Sequence, residues 1–383
     1  MSRSSESGPP ASVPPSSAAA LFGDPAVIRC ERAVSELRQG RPVVIAGPSG
    51  ARLAFITLDG STAGSYARFA RAAGDRQHLT VTARRADVLG LQAPDGARIP
   101  LAGVGHDALG ALGFLRDAGA PAHWQPATAL DAAGVELARL GLMLPALIAV
   151  DLGDGDSAFA ACCQVSIADL EAGSAGAADD FELVTRAPVP LRDVGMTDFV
   201  VFRGGVAQRD QVAVVVGNPD VDAVVPVRVH SSCLTGDLFG SLKCDCGDQL
   251  RAGLLALKAL GGGVLLYLDQ EGRGTGIAAK MRAYGYQHEG LDTIDADAQL
   301  GFGADERRYG TAAAMLQGLG IRRVALLTNN PDKVARLREA GIDVVERHPL
   351  TGHVTAENEQ YLRTKARRAG HALDVDALIR AME

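Results

Sequence analysis

Short apolar runs alternate with helical patterns from about residue 190 to the C-terminus, and this alternation limits the folds open to the chain. The strand-like runs are VVPVRVH (224–230), GVLLYLD (263–269), RRVALLTN (322–329) and IDVVER (342–347). Apolar residues recur at helical spacing in the stretches 248–261, 276–287, 307–320 and 331–341. The pattern predicts an α/β (α+β) fold in which helices flank mixed sheets.

Length and composition predict two domains. The chain has 383 residues, 47% of them apolar, which is more than one typical core holds. Its first twenty residues (1–20) are mostly Ser, Pro and Ala, and this tail is predicted to be disordered. The small, acidic stretch 171–184 is interpreted as a linker. We therefore expect a first domain at 21–185 and a second domain at 190–383.

Charge and hydropathy exclude several classes of protein. The formal net charge is −7 without a basic stripe, which argues against a nucleic-acid partner. No run of eighteen apolar residues occurs, so a membrane span is not expected. No apolar signal segment is visible either, which predicts a cytoplasmic protein with reduced cysteines. A small anionic ligand remains open, because a local pocket need not follow the net charge.

Three of the six cysteines lie close together in the chain, as Cys233-x10-Cys244-x-Cys246. Their neighbours are Gly, Asp, Ser, Thr and Lys, which indicates a polar loop. Three soft ligands occupy three corners of a zinc tetrahedron and leave the fourth open, as in a catalytic zinc site. The alternative is that free cysteines serve as buried apolar filler. We interpret the other three cysteines in that way: Cys30, Cys162 and Cys163.

Two polar motifs follow predicted strands, where α/β folds place their ligands. DQEGRGTGI sets Glu271 and Arg273 among glycines before a helix, and backbone amides with an arginine fork suit phosphate. LLTNNPDK offers Asn330 as a helix cap and Pro331 as the first helical residue, with Lys333 facing the strand end. A plain loop and a solvated lysine are the respective alternatives.

A third motif, LGFGADERRYG, carries four charged residues, 305–308, at a predicted helix start. Taken alone, charges of both signs there are typical of a solvated face, since acidic residues are favoured at helix starts. The motif shares one domain with the zinc site and two phosphate loops. Together they predict metal-assisted hydrolysis of a phosphorylated substrate.

Five motifs, in order, resemble GTP cyclohydrolase II: RVHSSCLTGDLFGSLKCDCG, DQEGRGTGI, KMRAY, LDTIDADAQLGFGADER and LLTNNPDK. The resemblance covers about residues 195–370. It implies a homodimeric enzyme that opens the imidazole ring of GTP at C8 and releases formate and pyrophosphate. The product would be 2,5-diamino-6-ribosylamino-4(3H)-pyrimidinone 5′-phosphate, in the first step of riboflavin biosynthesis.

The same resemblance assigns roles to individual residues. It implies one Zn²⁺ per subunit on the three clustered cysteines, and Mg²⁺ accompanying the triphosphate. Asp305 would be the general base, and Tyr284 would assist hydrolysis of the ring. Arg307 would act at the α-phosphate and is described in the family as a nucleophile. Because a guanidinium stays protonated in proteins, charge stabilisation of the departing pyrophosphate is the alternative.

The remaining matches are implied to bind GTP: Arg228, Val229, His230, Ser231, Ser232, Gln249, Glu271, Gly272, Arg273, Thr293, Thr328 and Lys333. This chain departs from the family pattern at two places. Ser232 stands where many members have Glu, and Gly274-Thr275 where they have Asn-Ile or Gly-Ile. Neither departure removes a group that the chemistry needs.

The first half of the chain faintly resembles 3,4-dihydroxy-2-butanone 4-phosphate synthase, through fragments such as RCERAVSELRQGRPVVI and TARRADVLGLQAP. That enzyme has an acidic loop after its first strand and a Gly-His pair before a later helix. Here the corresponding stretches read AGPSGARLAF (46–55) and LDAAGVELARL (130–140). Without the groups that would hold magnesium and act on a sugar phosphate, the domain is predicted to be non-catalytic.

Two other functions stay open at this point. One is a cyclohydrolase-like paralogue that acts in uracil catabolism or stops at a formamidopyrimidine. The other is a non-enzymatic regulator that binds a nucleotide or zinc. Retention of Tyr284, Asp305 and Arg307 favours the full reaction.

Overall fold

The computed structural model describes residues 23–116, 118–176, 181–206, 210–303, 305–350, 352, 354–368, 370, 372 and 374–380. The tail 1–20, predicted to be disordered, lies outside the described residues. The chain forms two seven-stranded sheets, each containing parallel and antiparallel pairs and each flanked by helices. The predicted fold class is confirmed. In the described part of the chain, every helix is too short or too polar to cross a bilayer.

The first sheet has the strand order β5-β4-β3-β6-β2-β1-β7. Its strands are β1 (Val43–Ala46), β2 (Arg52–Thr57), β3 (His78–Val81), β4 (Ala97–Pro100), β5 (Gln125–Pro126), β6 (Ala146–Leu152) and β7 (Cys163–Ser166). Neighbouring strands are antiparallel except for the parallel pair β1–β7. The associated helices are α1 (Pro25–Arg38), α2 (Ala63–Ala73), α3 (Ala83–Val88), α4 (His106–Gly113), α5 (Ala129–Leu140) and α6 (Ile167–Gly176).

Helix α1 shows how local sequence sets an element of this half. Asp24 caps the helix by accepting a hydrogen bond from the Ala26 amide, and Pro25 occupies its first turn. Its apolar residues recur at helical spacing and, except for the half-buried Ile28, are buried, including Cys30, as predicted. Cys162 and Cys163 are only half-buried, so their interpretation as buried filler was wrong. They lie at or beside β7, an edge strand that pairs with a neighbouring strand, β1, along only one of its two edges.

The second sheet has the strand order β14-β13-β11-β12-β10-β9-β8. Its strands are β8 (Glu182–Leu191), β9 (Gly195–Arg203), β10 (Gln211–Gly217), β11 (Val225–Ser231), β12 (Gly262–Leu268), β13 (Arg323–Leu327) and β14 (Asp343–His348). The pairs among β11, β12, β13 and β14 are parallel, and these are the four predicted strands. The antiparallel ribbon β8–β10 was not predicted. Helix α6 and strand β8 occupy much of the stretch 171–184 interpreted as a linker.

The helices around this sheet are α7 (Cys246–Ala259), α8 (Ile277–His288), α9 (Thr293–Gln299), α10 (Gly310–Gly318), α11 (Pro331–Glu339), α12 (Glu359–Arg368) and α13 (Val375–Arg380). Four of them, α7, α8, α10 and α11, lie where the sequence predicted helices. Helix α10 begins at Gly310, however, so the charged residues 305–308 lie in a loop and not at the helix start that was predicted. Because β11, β12 and β13 are parallel, their carboxyl ends share one edge of the sheet.

The two halves of the chain share one hydrophobic core. A single buried cluster contains Ala86 and Leu109 from the first half together with Leu300 and Phe302 from the second. Arg85 of α3 is fully buried at this junction. Its guanidinium donates to four backbone carbonyls, those of Ala111, Leu112, Leu115 and Gln299. Burial lowers the pKa of Arg85 to about 10, and the four carbonyl oxygens supply its hydrogen-bond acceptors.

Replacement of Arg85 by methionine is expected to lower the free energy of unfolding by about 3 kcal/mol, because buried carbonyls lose their donor. Urea denaturation followed by circular dichroism measures the change. The matched control is Arg84→Met, an identical substitution at the adjacent exposed position. Equal stability of the two variants would show that Arg85 does not hold the junction.

Candidate active site

The three clustered cysteines converge at the carboxyl edge of the second sheet. Cys233 follows β11, Cys244 lies in the next loop, and Cys246 begins α7. Their sulfur atoms all lie within 4.8 Å of one another, and the Cys233 and Cys244 Sγ atoms are 3.6 Å apart. Thiolates at tetrahedral zinc, with Zn–S near 2.3 Å, would be separated by about 3.8 Å. The donor set and its spacing therefore fit zinc.

A turn of π-helix, Leu234–Leu238, wraps the sulfur atoms. At Gly236, a Cβ atom would lie 2.9 Å from Cys244 Sγ and 3.1 Å from Cys233 Sγ. Gly236 does not have a left-handed backbone conformation. A glycine is therefore needed here because the backbone passes so close to the sulfur atoms.

Lys280 and Glu271 connect this turn to helix α8. The Lys280 ammonium donates to Cys233 Sγ at 3.0 Å and to Glu271 Oε1 at 2.7 Å. The other carboxylate oxygen of Glu271 accepts from the Leu234 amide at 2.6 Å. Hydrogen bonds from Cys244 and Cys246, and then from Lys280, hold the pKa of Cys233 well below its usual range. Glu271, assigned above to GTP, thus supports the cysteine turn, and Lys280 was missed by the sequence reasoning.

Asp237 ties the same turn to the sheet. Its carboxylate accepts from the Cys233 amide at 2.9 Å and from the Tyr267 hydroxyl at 2.9 Å. His230 Nε2 lies 3.2 Å from both Asp237 oxygens, and its ring stacks on Tyr267. Burial lowers the pKa of His230, which opposes its protonation despite the carboxylate beside it. His230 therefore has a structural role, in which it holds Asp237 and Tyr267 in place.

A pocket of about 410 Å³ opens beside the cysteines and falls within the usual range for ligand sites. Except for Val229, every residue assigned above to zinc, catalysis or GTP lines it. Val229 is buried in β11, and its carbonyl oxygen accepts a hydrogen bond from Lys333 Nζ at 3.0 Å. The structure thus brings residues that are far apart in the sequence together around one pocket.

Basic side chains outnumber acidic ones around this pocket. The basic residues that line it are Arg228, Arg273, Lys280, Arg307, Lys333, Lys365 and Arg368. The carboxylates that line it are Glu271, Asp297, Asp305 and Asp332. Among the described lining residues that is seven cations against four anions. This excess favours a ligand with several negative charges, although the whole chain is acidic.

The capped helix predicted after β13 is present. Asn330 caps α11 by accepting from the Asp332 amide, and Pro331 occupies the first turn. Lys333 is buried, so the alternative of a solvated lysine was wrong. Burial, together with the positive charges of Arg307 and Arg228, lowers the pKa of Lys333 well below its ordinary value.

The glycine-rich loop holds Arg273 in an unusual conformation. Arg273 has φ +64°, and Gly272 beside it has the same φ, in the left-handed region that side chains disfavour. The Arg273 guanidinium pairs with Asp297 of α9. Burial raises the pKa of Asp297 to about 6, against the lowering effect of Arg273. Thr293, at the first position of α9, also reaches the pocket.

Asp305 and Arg307 form a bidentate ion pair in the loop before α10. The Arg307 Nε and Nη2 atoms donate to the two Asp305 oxygens at 2.8 and 2.5 Å. Burial opposes both charges. Even so, the Tyr309 phenol and then the pairing with Asp305 raise the pKa of Arg307, and the pairing lowers the pKa of Asp305. Arg307 is therefore a cation held in a fixed orientation.

A chain of polar contacts joins the pocket to helix α12. Arg228 donates to Gln249 Oε1 at 2.7 Å, and Gln249 donates to Asp245 Oδ2 at 2.6 Å. Lys365 then donates to the other Asp245 oxygen at 3.0 Å. Tyr361 and Arg368 of the same helix also line the pocket. Sequence reasoning missed this wall because α12 carries no phosphate motif, only the charged amphipathic pattern of a surface helix.

Three thiols that could hold a metal ion lie beside a pocket lined mostly by cations, which is the arrangement expected of a metal-dependent enzyme with an anionic substrate. A model of the family described as GTP cyclohydrolase II matches residues 182–349. The GTP cyclohydrolase-2 of Xylella fastidiosa (strain 9a5c) is 61% identical over 360 residues, covering 94% of this chain and 90% of that protein. The GTP cyclohydrolase-2 of Azospirillum brasilense is 38% identical over 96% of this chain and 98% of its own.

The chain belongs to the GTP cyclohydrolase II family, whose members act on GTP in riboflavin biosynthesis. The riboflavin biosynthesis protein RibBA of Bacillus cytotoxicus is 46% identical over 183 residues, covering 48% of this chain and 46% of that protein. Among solved structures, a two-domain 3,4-dihydroxy-2-butanone 4-phosphate synthase, RibBX from A. baumannii, covers 84% of this chain and 99% of its own. It does so with 15% identity and a TM-score of 0.31.

Substitution of Gly236 by alanine is expected to lower the amount of zinc that the protein retains after incubation with Zn²⁺ to less than about half, because the new methyl group would lie 2.9 Å and 3.1 Å from two of the three sulfur atoms. Elemental analysis measures the metal directly. Leu238→Ala is the control, since Leu238 is an exposed residue of the same turn. Full zinc occupancy in the Gly236 variant would contradict the assignment of the sulfur cluster as the metal site.

Proposed function

We propose that this enzyme hydrolyses the imidazole ring of GTP at C8, with release of formate and pyrophosphate. The product is 2,5-diamino-6-ribosylamino-4(3H)-pyrimidinone 5′-phosphate. The observation that supports this proposal is that the thiol triad and the cluster of cations line the same pocket. A substrate with a ring at one end and several phosphates at the other fits this pocket, because the ring could face the thiols while the phosphates face the cations.

Cys233, Cys244 and Cys246 would hold zinc, since three sulfur donors at this spacing leave a fourth position free. Bound there, zinc would supply Lewis acidity and lower the pKa of a water molecule. Mg²⁺ would enter with the triphosphate, as hard oxygen ligands require. The hydrogen bond from Lys280 to Cys233 fixes the orientation of one ligand, in the manner of outer-shell partners at metal sites.

Tyr284 supports the ring-opening step as a proton donor. Its ring lies beside two ammonium groups, with Lys243 Nζ 5.1 Å and Lys280 Nζ 5.5 Å from the ring centre. Burial raises the pKa of the Tyr284 phenol above its ordinary value, which keeps the hydroxyl protonated. Ser231 and Ser232 have buried hydroxyls without a partner among the described residues, and both line the pocket, so they are available to bind the nucleotide.

Arg307 would stabilise the charge of the departing pyrophosphate and would not act as a nucleophile. Its guanidinium is held by Asp305 in a pairing that favours the protonated form, and a protonated guanidinium has no free electron pair. Asp305, whose pKa the same pairing lowers, is then a weak base and serves mainly to orient Arg307. The nearby cations Lys333 and Arg273 would bind other phosphate oxygens.

Residues 21–185 would form a non-catalytic domain ahead of the cyclohydrolase domain at 190–383. The support is the lack of the acidic loop and the Gly-His pair in stretches 46–55 and 130–140. Conversion of ribulose 5-phosphate to the butanone phosphate by the purified protein would disprove this proposal. A homodimer is proposed from the family resemblance, and analytical ultracentrifugation tests the assembly.

Incubation with GTP and Mg²⁺ is expected to yield formate, pyrophosphate and the diaminopyrimidine in equal amounts, each measured in a coupled assay or by mass spectrometry. The Cys244→Ser variant should lose ring opening and bound zinc together, because it lacks one of three ligands. Cys163→Ser, the same change outside the site, is the control. Formate release by the Cys244 variant would disprove the metal assignment.

Two substitutions of Arg307 test its role. Arg307→Met should lower kcat by about 1000-fold, whereas Arg307→Lys, which keeps the charge but loses the planar fork, should retain about a tenth of kcat. Steady-state kinetics of pyrophosphate release measure both variants. Arg323→Met, at an exposed position of β13, is the control. A lysine variant as inactive as the methionine variant would contradict a purely electrostatic role.

A further inference from the structure

One face of helix α5, in the first half of the chain, is turned toward the loops of the active site. Glu136 and Arg139 lie three residues apart on α5, and Leu142 follows three residues later, just beyond the helix end. At this spacing, Glu136 and Arg139 lie on the same side of the helix. All three are in contact with, or directly beside, residues of the second half.

Two of these contacts hold the residues on either side of Arg307. The Glu136 carboxylate forms an ion pair with Arg308. Arg139 Nη2 lies 3.7 Å from Glu306 Oε1. Helix α5 thus contacts the loop of residues 305–308, which carries Asp305 and Arg307, at the two residues that flank Arg307. Helix α5 supplies an anion, Glu136, to Arg308 and a cation, Arg139, to Glu306. An exchange of the two partners would therefore bring like charges together.

The same contacts extend to the glycine-rich loop. The Glu306 amide donates to the Arg273 carbonyl oxygen at 3.1 Å, so the two loops are hydrogen-bonded to each other. Beyond α5, the Leu142 carbonyl oxygen would lie only 2.5 Å from a Cβ atom at Gly276, which has φ +89°. Both loops that present cations to the pocket therefore rest against the first half.

The segment that leads into the 305–308 loop is anchored as well. Thr82 Oγ1 donates to the Gly301 carbonyl oxygen at 2.7 Å, and Arg85 donates to that of Gln299 at 3.0 Å. Phe302 is buried in the core that the two halves share. Within the second half, Gln270 Nε2 donates to the Arg308 carbonyl oxygen at 2.7 Å and Arg336 Nη1 to that of Arg307 at 3.2 Å. These bonds hold the backbone of the loop, whereas the α5 contacts hold the side chains of Glu306 and Arg308.

We propose that the first half of the chain positions the 305–308 loop for catalysis, through Glu136 and Arg139 as positioning residues. The proposal rests on the roles assigned above to Asp305 and Arg307. Ion pairs as exposed as Glu136–Arg308 add little to overall stability. A displacement of a catalytic group by about 1 Å, by contrast, costs about 100-fold in rate. The contacts therefore matter for turnover more than for folding.

A charge exchange between Glu136 and Arg308 tests this proposal. Glu136→Arg and Arg308→Glu should each lower kcat for formate release by about 10-fold or more with little change in KM, and the double variant should recover to within about 3-fold of the parent protein. The urea midpoint should stay unchanged in all three. The control is Glu171→Arg, the same substitution at an exposed position of α6.

Hydrogen exchange gives a readout that does not depend on GTP turnover. The amides of Glu306, Arg307 and Arg308 should exchange faster in each single variant and return to the parent rate in the double variant. Unchanged exchange in Glu136→Arg, or a double variant as impaired as the singles combined, would overturn the positioning role. A parent protein that releases no formate would instead disprove the proposed reaction, while the exchange rates still decide whether α5 holds the loop.

Discussion

Parallel pairing of β11 with β12 and β13 is the constraint on which the site depends. It places three chain reversals at one edge of the sheet, and these carry the thiols, the left-handed Arg273 loop and the capped helix α11. Each motif alone is ambiguous, because cysteines can be filler and glycines can mark plain turns. Because the three motifs line the same pocket, they are better explained as one functional site than as unrelated structural features.

The pocket concentrates positive charge in a protein that is acidic as a whole. Buried cations repel one another, so the pKa of Lys333 is lowered first by burial and then by the positive charges of Arg307 and Arg228. Five of the seven described cations pair with carboxylates, whereas the hydrogen bonds of Arg228 and Lys333 go to neutral oxygens. A polyanionic ligand relieves this repulsion when it enters, so part of its binding energy comes from charges already gathered and oriented by the fold.

The parallel strands, the α11 cap and the lining motifs could be predicted because each leaves a local signature, such as an apolar run or Asn330-Pro331. Other features depend on residues far apart in the chain and have no local signal. Lys280 contacts a sulfur 47 residues away, and Lys365 contacts an aspartate 120 residues away. The half-buried Cys162 and Cys163 were misjudged because composition does not reveal that β7 is an edge strand.

Helix α12 supplies a wall of the pocket from beyond residue 349, where the match to the family ends. A chain that stopped before Glu359 would keep all three thiols and the Lys280 contact, yet it would lack Tyr361, Lys365 and Arg368. The thiol cluster and the α12 wall of the pocket thus come from separate stretches of sequence.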